Sequence, residues 1–140
     1  MSETKNSLRG KTFAGFGAVA LVAALLFLVS SFSGPSSGYN TTLGSQEFIS
    51  RYRATPNAEL VDVRTPAEFD SGHIAGAVDI DFEGPGFEAA VKALDRSKTY
   101  FVYCHSGNRS GKATAVMRQE GIAHIYQLQG GVASASALVR

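Results

Sequence analysis

The chain has 140 residues, 44% of them hydrophobic and 18% charged, with a net charge of +1. That length holds one domain rather than two, and a near-neutral balance without a basic stripe interleaved with aromatics excludes a nucleic-acid binder. One cysteine and three scattered histidines rule out an intrachain disulfide framework and a cysteine-cluster metal site, and predict neither metal nor cofactor.

Taken in chain order, Lys5, Arg9 and Lys11 precede an uncharged stretch, residues 12–32, whose dense apolar part runs from Phe13 to Val29, 17 residues. That is longer than the roughly 7 to 15 residues of a signal-peptide core and just short of the roughly 20 of a comfortable membrane span. Both readings keep the positive residues in the cytoplasm and place the rest outside, in the periplasm or at the cell surface. Ser31 and Ser33 suit a cleavage site, whereas the uncharged continuation through Phe32 suits an uncleaved hydrophobic helix, and the anchor is preferred. A buried core helix fits less well, because the Gly/Ser-rich residues 33–38 follow like a tether. The expected division is an anchor or signal peptide over 1–33, a linker over 34–40 and a monomeric domain over 41–140.

Within the domain, Tyr39 to Leu43 reads as a short strand and Gly44 as the break after it. Ser45 is placed to cap a helix whose Phe48, Ile49 and Tyr52 share a face. Pro56 and Asn57 turn the chain into a buried strand, Glu59 to Val63. Thr65-Pro66-Ala67-Glu68 has the capping-box pattern with proline at the first helical position, so a helix starts there, and Gly72 stops it. Val78 to Phe82 is a third strand. After the Gly84-Pro85-Gly86 turn comes a helix from Phe87 to Leu94 with Phe87, Val91 and Leu94 as its stripe. Tyr100 to Tyr103 is the fourth strand, Ser110 to Glu120 a helix turning Ala113, Val116 and Met117 inward, and Ile122 to Leu128 the fifth strand. Gly130-Gly131 opens a short last helix. Short apolar strands alternating with helices predict an α/β fold, a doubly wound and mostly parallel five-stranded sheet, in which ligands bind off the carboxyl ends of the strands.

Cys104 falls at such an end. The stretch Cys104-His105-Ser106-Gly107-Asn108-Arg109-Ser110 leads from the fourth strand through a tight loop into a helix, where successive N–H groups and the positive end of the helix dipole converge on an anion. Such surroundings lower a cysteine pKa to roughly 3.5 to 7.5, and the thiolate is the nucleophile. The alternative is a small hydrophobe filling a strand end. The reactive reading is preferred because packing alone needs neither the tight loop nor Arg109. It requires that the sulfur not be sealed away and that loop amides, not carbonyls, face it.

These residues, together with Val61-Asp62-Val63-Arg64, Glu68 and Gly72-His73-Ile74-Ala75-Gly76-Ala77 upstream, resemble the single-domain rhodanese-like (thiosulfate sulfurtransferase) family from about Thr41 to Gly131. The resemblance implies a sulfurtransferase in which Cys104 takes the outer sulfur of thiosulfate or a persulfide donor, holds it as a persulfide, and passes it to an external thiol or cyanide. It implies that the amides from His105 to Ser110 cradle the persulfide, with Gly107 permitting the turn. Cys104 to Arg109 spans six residues, C-x4-R, whereas the cysteine phosphatases and arsenate reductases of related fold use C-x5-R, a wider ring suited to a phosphoryl-sized group. Arg109 either draws in an anionic donor or stands solvated at the loop rim. His105 either meets the substrate or points outward. Arg64 is expected to pair with Glu68 one helical turn on, Asp62 to brace by hydrogen bonding, and His73 to hold a backbone turn. The family usually carries a tryptophan after the glycine pair. Here Val132 to Ala137 are small, so the last helix is expected to pack weakly. The rival readings are a non-catalytic sulfur carrier or interaction module, a redox sensor that forms a mixed disulfide, and an arsenate reductase or phosphatase of the same fold, against which the missing C-x5-R loop speaks.

Overall fold

The computed structural model describes residues 37–140, which belong to one compact unit, Ser36–Arg140. The expected membrane or signal segment and most of the linker lie outside the described residues. Among the described residues no helix is long and apolar enough to cross a membrane.

Five strands form one parallel sheet: β1 (Tyr39–Leu43), β2 (Ala58–Asp62), β3 (Ala77–Asp79), β4 (Thr99–Tyr103) and β5 (His124–Leu128), in the spatial order β1-β5-β4-β2-β3. Four helices separate or flank them: α1 (Ser45–Ala54), α2 (Pro66–Asp70), α3 (Phe87–Ala93) and α4 (Asn108–Gln119), and two 3-10 turns, Gly131–Ser134 and Ser136–Leu138, close the chain. The sheet is all parallel because each strand returns through a crossover connection, and each of the four contains a helix. Side chains alternate across β4. Phe101 and Tyr103 join Leu60, Phe48 and Ile49 of α1, and Val132 on one face. Tyr100, Val102 and Cys104 join Val61, Val63, Phe87 and Val91 of α3, and Ala113 and Met117 of α4 on the other. A sheet covered on both faces needs apolar strands, as β4 is beyond Thr99; Tyr100, Phe101, Val102 and Tyr103 are each 0% exposed. Burying one such side chain is worth about 1.5–3 kcal/mol, so β4 is a rigid base for whatever follows it.

Strand order reverses between β2 and β4: from β2 the chain moves outward to β3, and from β4 the other way to β5. Such a switch point opens a crevice at the carboxyl ends of the two strands. Asp62, the last residue of β2, pairs in register with Tyr103, the last of β4, so Val63 and Cys104 emerge side by side, with Arg64 and His105 next.

Element types follow the sequence, while several ends shift. Gly44, not Ser45, is the N-cap of α1, and it makes no side-chain cap. Thr65 and Glu68 form the reciprocal capping box of α2. The third strand is shorter than expected because Asp81 turns the chain, its carboxylate accepting from the Glu83 amide at 2.9 Å and its carbonyl from the Gly84 amide at 3.1 Å. The last segment is better packed than its small side chains suggested. Val132 and Ala135 are 5% and 6% exposed, in the same cluster as Phe48 and Phe101, because small residues let the 3-10 turns lie close to the sheet.

Candidate active site

Cys104 leaves β4 and enters a loop that ends at Gly107, whose φ of 98° is open to glycine at little cost and starts α4. The Gly107 N–H donates to Cys104 Sγ at 3.0 Å, and Ser110 Oγ lies 3.5 Å from the same sulfur. Burial pushes the thiol up, but hydrogen bonds from the Ser110 hydroxyl and from the Ser110, Gly107 and Ser106 amides outweigh it, leaving Cys104 below its ordinary value of 9.0. The loop therefore turns donors toward the sulfur.

The reason lies in the C-terminal segment. Val132 N–H donates to the Cys104 carbonyl and Ala133 N–H to the His105 carbonyl, both at 2.9 Å. With these carbonyls held by the C-terminal segment, the loop amides are left for the sulfur. Gly131, at φ +59°, allows the contact, since a Cβ there would collide with the Cys104 and His105 carbonyl oxygens. The sequence reading gave the glycine pair no part in the site.

Cys104 itself is 1% exposed and sits in the core cluster with Val61, Val102 and Met117, contrary to the expectation that the sulfur is not sealed away; the expectation that loop amides face it is met. His105 and Ser106 beyond it are exposed, Gly107 half-buried. A cleft of about 560 Å³, lined by Arg64, Glu68, Gly72, His105, Val132 and Val139 among others, opens beside the loop.

Two ion pairs brace this cleft, and they differ from the expected Arg64–Glu68 pair. Arg64, 5% exposed, instead grips Asp62, which is 0% exposed: Nε reaches the two carboxylate oxygens at 3.0 and 2.9 Å and a terminal nitrogen reaches one at 2.6 Å. The same nitrogen donates to the Gly72 carbonyl at 2.7 Å, tying the loop after α2 to the end of β2. Asp62 is two residues from Arg64 on extended chain, so the two share a face, whereas Glu68 points elsewhere. Glu68 receives Arg109 through two bonds of 2.6 and 2.7 Å, and Glu83 adds a third contact to Arg109 at 3.2 Å. Arg109 is thus neither a free anion receptor nor a solvated rim side chain; it staples α4 to α2. Its proximity holds Glu68 at a pKa of about 2 against the ordinary 4.5, helped by the Thr65 amide and hydroxyl.

A pKa depressed in the folded state means stability present above the ordinary value and lost as pH falls toward the folded one. Thermal stability should decline between about pH 4.5 and pH 2 as Glu68 protonates, and Glu68→Gln should flatten that part of the curve. An unchanged slope in the variant would show that Arg109 gains nothing from the charge.

His73 Nδ1 lies 3.0 Å from the Phe69 carbonyl, and its ring stacks on Phe69 at 3.8 Å between centroids. Its backbone pairs with Arg140 in both directions, so it sits in a turn held to the chain end. Ser106 and Asn108 are exposed, and Tyr103 is a core residue whose hydroxyl accepts from Ile74 N–H at 3.1 Å. Gln127 of β5 went unnoticed in the sequence. Its Nε2 donates to the Gly107 carbonyl at 2.9 Å and to Ser110 Oγ at 3.0 Å. The signal was a lone amide in the otherwise apolar run Ile125-Tyr126-Gln127-Leu128.

A parallel α/β sheet with a cysteine in an amide-lined loop at its switch point defines the class of domain. The rhodanese-like domain family matches residues 45–137, and the chain belongs to that family. It is 38% identical over 90 residues to the uncharacterized protein YqhL of Bacillus subtilis, covering 64% of this chain and 68% of that one. It is 36% identical over 74 residues to the thiosulfate sulfurtransferase GlpE of Pseudomonas aeruginosa, covering 53% of this chain and 66% of that one. The crystal structure of a rhodanese-related protein from Thermoplasma volcanium superposes with a TM-score of 0.60 at 28% identity, over 69% of this chain and 91% of that one.

Proposed function

We propose that the protein is a sulfurtransferase that moves a sulfane sulfur from a thiosulfate-like donor to a thiophilic acceptor through a Cys104 persulfide. The observation that carries this reading is the set of donors available to an ionised Cys104 Sγ, the Gly107 N–H at 3.0 Å and the Ser110 hydroxyl 3.5 Å away. In the first step the Cys104 thiolate attacks the outer sulfur of thiosulfate, the S–S bond to the sulfonate breaks, and sulfite leaves with the electron pair. The product, a persulfide anion, carries the same single charge as the thiolate and keeps the same donors. In the second step cyanide or a thiolate attacks the outer sulfur and restores the Cys104 thiolate. Membership of the rhodanese-like family and similarity to the Pseudomonas thiosulfate sulfurtransferase support the donor class.

Incubation of the protein with thiosulfate, followed by mass spectrometry, should show one added sulfur on Cys104, released by cyanide. An unmodified Cys104 at saturating thiosulfate would overturn the donor assignment. A persulfide that forms and is not passed on would leave a carrier.

For placement in the cell, the reading is an extracytoplasmic domain held by residues 12–32, supported by the charge-then-apolar order at the start of the chain. Protease added to intact cells should remove the domain; a fully protected domain would count against export.

A further inference from the structure

We propose that Gln127 is a positioning residue that aims the Ser110 hydroxyl proton at the Cys104 sulfur. The inference deepens the sulfurtransferase reading and depends on it for its purpose.

The argument is a count of donors and acceptors around Ser110, which is 0% exposed and has no water to turn to. With the thiol protonated, Cys104 Sγ donates to Ser110 Oγ at 3.5 Å; once Cys104 is ionised the Ser110 hydroxyl has one proton and two acceptors in reach, the Gly107 carbonyl at 3.2 Å and the sulfur. Left to that choice, the carbonyl is closer and would win. The Gly107 carbonyl, however, already accepts Gly111 N–H at 3.1 Å and Gln127 Nε2 at 2.9 Å, which fills both of its lone pairs. The second proton of Gln127 Nε2 goes to Ser110 Oγ at 3.0 Å. A carbonyl only accepts, so the amide nitrogen of Gln127 must be the atom facing it, and the side-chain orientation is fixed by chemistry. Ser110 Oγ, now an acceptor toward Gln127, keeps its own proton for the one acceptor left, the sulfur. Chains of this kind strengthen each member, since an oxygen that accepts a hydrogen bond donates a better one.

The relay runs from β5 to the loop through Val102 and Gln127, which are in register across β4 and β5, so it is mounted on the sheet rather than on mobile chain. Its electrical effect is to add one directed donor to the thiolate and to the persulfide that replaces it.

The test exploits the single cysteine of the chain. The rate of alkylation by iodoacetamide is followed against pH, giving the ionisation midpoint of Cys104 in the full-length protein without any turnover. Gln127→Met keeps the length and bulk of the side chain and removes both donors. It should move the midpoint up by about one pH unit, the size of one hydrogen bond to a charged acceptor. Ser110→Ala should move it up by a similar amount. The double variant should sit where Ser110→Ala sits, because Gln127 has nothing left to aim.

An unmoved midpoint in Gln127→Met would overturn the proposal, as would a Gln127→Met shift that persists undiminished in the Ser110→Ala background, which would mean that Gln127 acts by packing alone. The thiosulfate experiment tests the function separately: loss of sulfur transfer with the relay intact in alkylation would remove the function and keep the positioning.

Discussion

Cys104→Ser is expected to reduce sulfur transfer from thiosulfate to cyanide to the uncatalysed rate while leaving the fold in place. Both halves of this expectation come from the loop. A serine hydroxyl is not ionised at neutral pH, and an oxygen in place of sulfur has no persulfide to form, so the covalent step is lost outright rather than slowed. The replacement is nearly isosteric, and its oxygen can accept from the Gly107 N–H that now donates to Sγ at 3.0 Å. Exchange of one satisfied acceptor for another changes stability by about 1 kcal/mol or less. In the unmodified protein the rate should rise with pH through one ionisation whose midpoint lies below the ordinary thiol value of 9.0. Steady-state assay of both proteins beside a circular-dichroism melt checks the pair of statements. Substantial turnover in the variant would show that another group carries the sulfur.

The enclosure of Cys104 sharpens what this result would mean. Because the residue is 1% exposed, turnover in the unmodified protein would also mean that a donor gains access to a sulfur enclosed in this structure. The cleft beside the loop has its charged lining residues already neutralised, Arg64 by Asp62 and Glu68 by Arg109.

Much of this arrangement could be read from residues close together in the chain. The strand-loop-helix around Cys104 is local, and its chemistry follows from one cysteine, one glycine able to take positive φ, and the helix after it. The capping box Thr65 to Glu68 is equally local and appears as written. What the sequence reading lacked was the choice among partners of equal chemical suitability. Arg64 had two carboxylates within reach by spacing; helical spacing suggested Glu68, while the extended chain at the end of β2 put Asp62 on its own face. Glu68 was then free for Arg109, 41 positions away, a pairing that only the packing of α2 against α4 decides. The same limit hid Gly131, whose need for no side chain is visible only when the Cys104 and His105 carbonyls are seen against it. The expectation of weak C-terminal packing failed because it counted side-chain bulk and not backbone hydrogen bonds. Val132 and Ala133 contribute through their N–H groups, which any non-proline residue has.

The second large effect is expected at Arg64. Replacing it by leucine leaves the Asp62 carboxylate, 0% exposed, without its cation, and leaves the Gly72 carbonyl without its 2.7 Å donor. Breaking a buried pair by removing one partner costs about 3–5 kcal/mol. In a domain of this size that lowers the melting temperature by more than about 12 °C. Removing both charges, with Asp62→Leu and Arg64→Leu together, should cost less than the single change, because no uncompensated carboxylate remains in the interior. The two effects separate desolvation from attraction: if the pair stabilised mainly by mutual attraction, the double variant would be at least as unstable as the single one. Function enters through Gly72, which lines the cleft beside His105 and Val132. Once its anchor to Arg64 is gone, the wall of the cleft loosens while Cys104 keeps its donors from Gly107 and Ser110. Measured below its melting temperature, Arg64→Leu should therefore raise KM for thiosulfate more than it lowers kcat, and an equal fall in kcat would place Arg64 in the chemistry rather than in the wall.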